Sequence, residues 1–174
     1  SLKSYDPTGI VLHCGSLAHH VAPGFNLGWS HAGRWRDEIL RLKSITSVAM
    51  AGLPQLAMAD FLESGGFEKH LKRLRTTLRD LVSEARREVL RTFPQGTRVN
   101  WPEGGYVLWI QLPDGIDGVQ VRQRALARGI EILPGVVFSP NQLYRDCIRI
   151  ACGHPFAVLK PAIHAIAGIV RDLS

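Results

Sequence analysis

CGSLAHHVAPGFNLGW, residues 14–29, is the stretch on which the reading of the whole chain turns. Apolar runs at residues 10–12 and 25–29 flank a centre that holds Gly15, Ser16, His19, His20, Pro23 and Gly24. Glycine and proline interrupt regular structure while the flanks suit a sheet, so the expectation is strand, loop, strand. Glycine has no Cβ and lets backbone approach a bound group closely, and here a hydroxyl lies beside it. The loop is a candidate site.

A pair of strands is marginal alone and needs further strands or a layer of helices. Residues 1–9 are polar and turn-like, so the expectation is a chain lacking the earlier strands of a larger sheet. After the loop, residues 34–47 set Trp35, Ile39, Leu42 and Ile45 at steps of four and three, one apolar helical face. Pro54 suits the first turn of a second helix over residues 54–62, which Ser64, Gly65 and Gly66 stop. Residues 67–90 form the longest helix, with Leu71, Leu74, Leu78, Leu81, Ala85 and Val89 as its stripe. Its charges pair acid with base at three- and four-residue steps, which reads as a solvated face rather than a DNA contact. Beyond Pro94, strands are expected at residues 98–101, 106–112, 131–133 and 147–151. Helices are expected at 119–128 and at 162–173, with Pro161 in the first turn of the last. Helices on one sheet make a two-layer α/β unit.

By length, 174 residues are one domain, and 21 Lys and Arg against 15 Asp and Glu leave a net charge of +6. A nucleic-acid partner fits that balance, and so does scattered surface basicity. Three cysteines without C-x-x-C spacing point to a reducing, cytoplasmic setting and away from a disulfide framework or zinc. No signal peptide opens these residues, and Pro54, Gln55 and Asp60 break the most apolar window, so no membrane span is expected. His13, His19, His20 and His31 lie near the loop, but no carboxylate accompanies them and adjacent strand residues face opposite ways. No metal site is assigned.

Residues 15–29 also match the motif G-S-x-S-K-x-x-x-P-G-x-R-x-G-W at Gly15, Ser16, Pro23, Gly24, Gly28 and Trp29. That motif belongs to aminotransferases of fold type I, and this spelling most resembles the aminotransferase-like domains of GntR-type regulators of the MocR subgroup. LPQLAMADFLESGGFEKHLKRLR at residues 53–75, GGYVLWIQLP at 104–113, Leu133-Pro134-Gly135 with Phe138, and RIACG at 149–153 follow in the family's order. The resemblance runs from Gly9 to the end. It implies an α/β, PLP-dependent-transferase-like fold: the end of the large-domain sheet with a degenerate cofactor loop at residues 1–33, connecting helices at 34–92, and a small two-layer C-terminal domain at 93–174. It implies pyridoxal phosphate as the family's cofactor, with Ser16, His19 and Asn26 at the cofactor-binding positions. Arg149 stands where the family grips the α-carboxylate of an amino acid.

The departures are chemical. Ala18 replaces the family's second serine, His19 its Schiff-base lysine and Asn26 its phosphate-binding arginine. Imidazole is not a primary amine and cannot form an aldimine. None of Lys3, Lys43, Lys69, Lys72 and Lys160 lies in the loop, and asparagine lacks the charged fork of arginine. No catalytic residue is therefore assigned. The resemblance implies a homodimeric effector domain that senses a small amino-acid-like or pyridoxal-type ligand and reaches DNA only through an N-terminal domain outside these residues. A functional pyridoxal-phosphate aminotransferase and a structural dimerisation module remain the alternatives.

Overall fold

Asp6 decides where the first strand begins. Its carboxylate accepts the amides of Ile10 at 3.0 Å and Val11 at 2.8 Å and pairs with Lys3 at 3.0 Å. Those amides are lost to a sheet ladder, so the strand expected at residues 10–12 starts later: β1 is His13–Ser16. β2 is Gly28–His31 and pairs antiparallel with β1, His13 facing His31 and Ser16 facing Gly28. Phe25, expected in that second strand, instead closes the 3-10 turn Pro23–Phe25 and donates its amide to Ala22 at 3.1 Å. The computed structural model describes residues 1–18, 20–47 and 49–174, with Pro23 described by its backbone alone. The chain divides into a unit Ser1–Arg73 and a unit Leu74–Ser174.

In the first unit, α1 (Arg36–Thr46) forms at the expected period, yet it has no buried residue. Leu42 and Ile45 on its apolar face are 55% and 74% exposed, so nothing described covers that face. α2 (Gly52–Glu63) buries only Met58, and Gly65 at φ +71° makes the left-handed turn between α2 and α3 (Gly66–Thr92).

The second unit holds the main core. β3 (Arg98–Val99), β4 (Val107–Gln111), β5 (Leu133–Pro134) and β6 (Cys147–Ala151) form an antiparallel sheet in the order β3-β4-β6-β5. β4 alternates as a half-buried strand should: Leu108 and Ile110 are fully buried, while Val107, Trp109 and Gln111 face the other way. Leu108, Ile110, Ile148 and Ile150 meet Val82, Ala85 and Val89 of α3, Val121 and Ala125 of α4 (Gly118–Leu126), and Ile163, Ile166 and Val170 of α5 (Phe156–Arg171). Three helices thus cover one face of one sheet. The buried stripe of α3 differs from the expected one. Val82 is in the core, and Leu78 and Leu81 are only partly buried. Pro161 also lies inside α5 rather than in its first turn, because Pro155 caps a helix that begins early enough to bury Leu159.

Glu88 is the buried polar residue of this core, and its carboxylate is held by Arg91 at 2.5 Å and by His164 of α5. Asp117 caps α4 by accepting the Val119 amide at 2.8 Å and pairs with Arg145 at 2.5 Å. Among the described residues no helix is long and apolar enough to cross a membrane.

Candidate functional site

The candidate residues fall in both units, and each group is built separately. In the first unit the mouth of the hairpin carries Ser16 and Asn26. Gly15 faces Trp29 across the ladder, and a Cβ on Gly15 would come within 2.6 Å of the indole. Only glycine allows that packing, so the G-S pair is required by the hairpin itself. The Ser16 hydroxyl is turned to local backbone, 3.5 Å from the Leu27 carbonyl, and accepts the Ala18 amide at 3.3 Å. Asn26 adopts φ +47°, a left-handed conformation that asparagine tolerates better than most residues. His19 lies outside the described residues.

Two histidine contacts that sequence reasoning did not reach brace the loop. The His20 ring donates through Nδ1 to the Ser16 carbonyl at 3.0 Å, and His70 of α3 donates through Nε2 to the His20 carbonyl at 2.7 Å. A carbonyl only accepts, so these bonds fix which ring nitrogen carries hydrogen in each case. A histidine fifty residues downstream leaves no local signal of such a contact. Among the described residues, no group of three or more histidine, cysteine or acidic side chains could hold a metal.

In the second unit Arg149 sits on the face of β6 away from the helices, opposite Trp109 of β4 and Leu133 of β5. Its guanidinium lies over the Phe138 ring, 5.5 Å from the centroid. Trp109 stands edge-on to Phe138 at 5.6 Å and to Tyr144 at 5.7 Å. Among the described residues Arg149 makes no ion pair. A guanidinium resting on rings, with its fork unclaimed by an acid, is suited to receive a carboxylate from outside. Beside Trp109 the same face opens into a cavity of 390 Å³ whose walls include Arg98, Gln111, Tyr144 and Asp146. The aromatic floor draws on three separate segments, and the sequence marks only Phe138 among its members.

The cysteines take no part in either group. Cys147 and Cys152 are buried, and burial first of all pushes both thiols up to about 11.

Set against known structures, the chain has the fold of LysN, the α-aminoadipate aminotransferase of Thermus thermophilus, solved with N-(5'-phosphopyridoxyl)-L-leucine. The TM-score is 0.89 at 21% identity, covering 99% of this chain and 44% of that one. The class is therefore an aminotransferase-like α/β fold of fold type I. By sequence the chain is 31% identical over 157 residues to the HTH-type transcriptional regulator YjiR of Escherichia coli (strain K12), a match covering 90% of this chain and 33% of the regulator. It is 28% identical over 176 residues to aromatic-amino-acid aminotransferase 1 of Thermococcus litoralis, covering 98% of this chain and 42% of that enzyme. The chain is thus a relative of MocR-type HTH regulators and of aminotransferases, and it corresponds to the aminotransferase-like domain of those regulators. It spans about a third of the length of the regulators it matches. No family model matches it.

Proposed function

We propose that the chain is part of a ligand-sensing effector domain that keeps the aminotransferase scaffold without its transamination chemistry. The observation that carries this reading is the donor set of residues 14–29: one hydroxyl, one thiol, imidazoles, an indole and one amide, with no primary amine and no guanidinium. Capture of an aldehyde as a Schiff base needs an amine, and a tight grip on phosphate favours a guanidinium or ammonium. The set does not fit pyridoxal phosphate bound through an internal Schiff base. On this reading His19 and Asn26 occupy the lysine and arginine positions. Lys3 does not stand in, because its ammonium is committed to Asp6 and to the Val11 carbonyl, both at 3.0 Å.

Recognition, unlike transamination, needs only a fork of donors, and Arg149 supplies one above an aromatic floor. The ligand this suits is a small amino-acid-like carboxylate. Residues 1–33 are then the end of a large-domain sheet, 34–92 connecting helices and 93–174 the small domain. DNA would be reached through a helix-turn-helix element outside these residues. The bare apolar face of α1, with Leu53 and Leu56 of α2 also 79% and 71% exposed, favours association through the first unit. That observation also supports the second reading, a dimerisation module without a ligand.

The test has two parts. Pyridoxal phosphate added to the purified chain is expected to give no borohydride-trappable adduct, and a stoichiometric adduct refutes the loss of chemistry. Calorimetric titration of amino acids and dicarboxylates into wild type, Arg149→Ala and Arg149→Lys is expected to show a carboxylate ligand. Both variants should weaken it about ten- to a hundredfold, lysine keeping the charge but losing the fork. Equal binding by all three proteins removes Arg149 from the site, and no binding at all moves the reading to dimerisation.

A further inference from the structure

A cleft in the second unit, away from Arg149, has the features of a binding site of its own. It has a volume of 460 Å³ and lies between α3 and the loop that precedes β4. Small-molecule sites fall in about the 300–1,000 Å³ range and pair an apolar floor with a few placed polar groups. Leu78 and the buried Val82 supply an apolar wall here. Arg75 and Arg79, one helical turn apart, add two guanidinium groups from the same helix. Among the described residues neither arginine makes an ion pair. Glu103 is the acid of the lining, so the lining charges sum to +1 from two bases and one acid.

Trp101 gives the cleft its shape preference. It is 64% exposed, far more than an indole left without a task. One side is backed by Arg86, whose guanidinium lies 4.7 Å from the ring centroid while its Nε donates to the Asn100 carbonyl at 3.1 Å. The indole is thereby held in place, and its exposure leaves room for a flat ring to stack on it. Gly104 and Gly105 follow, and a Cβ on either would meet no atom within 4 Å, so the mouth is open.

We propose that this cleft binds a small monoanionic aromatic carboxylate, its ring stacked on Trp101 and its carboxylate between Arg75 and Arg79. A single negative charge complements the lining, and a planar ring matches the indole better than a saturated one. The site uses none of the residues of the Arg149 face, so the two readings can fail separately.

The probe is 2-naphthoate, titrated into the purified chain by calorimetry. Saturable one-to-one binding is expected in about the micromolar to low-millimolar range. Arg75→Ala and Arg79→Ala should each raise Kd about fivefold and the double variant about tenfold or more, while Trp101→Ala should cost at least about fivefold. Arg149→Ala should leave Kd unchanged. 2-Naphthalenemethanol, which has the ring without the charge, should bind about tenfold more weakly than the carboxylate. The arginines are exposed and on the helix surface, so circular dichroism should show each variant folded like wild type. No saturation up to about 10 mM naphthoate, at the weak end of the affinity scale, overturns the proposal. So does unchanged binding by the double arginine variant, and so does loss of binding in Arg149→Ala, which would place the ring on the other face.

Discussion

Ile148 and Arg149 are neighbours on β6 that face opposite sides of the sheet, so alanine at each separates packing from recognition. Ile148 is fully buried, faces Ile110 in the ladder and has its Cγ2 against Gly118 at the start of α4. Truncation removes three carbons, about 0.8 kcal/mol each by transfer, and leaves a cavity in a core that three helices already hold in place. The expected cost is about 3–4 kcal/mol. Arg149 loses only its contact with Phe138, about 0.5–1 kcal/mol, since no acid among the described residues depends on it. Its released side chain also regains rotamer freedom, so the expected cost is below about 1 kcal/mol. Urea unfolding followed by circular dichroism measures both. With a slope of about 2 kcal/mol per molar, Ile148→Ala should lower the midpoint by about 1.5–2 M and Arg149→Ala by less than about 0.5 M. If Arg149→Ala costs as much as Ile148→Ala, the arginine is a structural member of the sheet and its assignment to a carboxylate is wrong. If Ile148→Ala costs under about 1 kcal/mol, the strand does not pack as described.

Glu88 should govern part of the acid response. Its hydrogen bonds with Arg91 first and His164 second outweigh burial and hold its carboxyl at about 2, below the ordinary 4.5. The stabilisation is complete above the unfolded value and is lost as pH falls from 4.5 towards 2, so Glu88→Gln should flatten the unfolding midpoint over that window. An unchanged pH profile would mean the cluster does not contribute. The thiols should divide by burial: Cys14 is exposed, while Cys147 and Cys152 are buried with thiols pushed up to about 11. Ellman's reagent at about pH 8 should modify one thiol of the native chain and all three after denaturation. Rapid reaction of Cys14→Ser would contradict the packing of β6.

Local periods are legible in the order of the residues. The alternation of residues 107–111 makes β4, the apolar run at 147–151 makes β6, and the long charged and apolar stripe from residue 67 makes α3, because each pattern records contacts with one face. Where a distant or competing partner intervenes, the sequence misleads. Ile10 and Val11 have the composition of a strand, but Asp6 takes their amides. Pro161 reads as a helix start, yet the helix runs back to Phe156 because Leu159 has a core to enter. Val82 and Glu88 are buried because the partners across from them, including His164, come from α5 and the sheet.

The candidate site divides along the same line. The chemistry available to the loop was decided by the sequence alone, since folding rearranges side chains but cannot add a primary amine to residues 14–29. What surrounds Arg149 was decided only by the tertiary structure. An acid to neutralise it could have come from any segment, and only closure of the sheet placed Trp109 across the ladder and Phe138 beneath the guanidinium instead. A guanidinium's identity is local, while its partner is set by whatever the rest of the chain brings within a few ångströms.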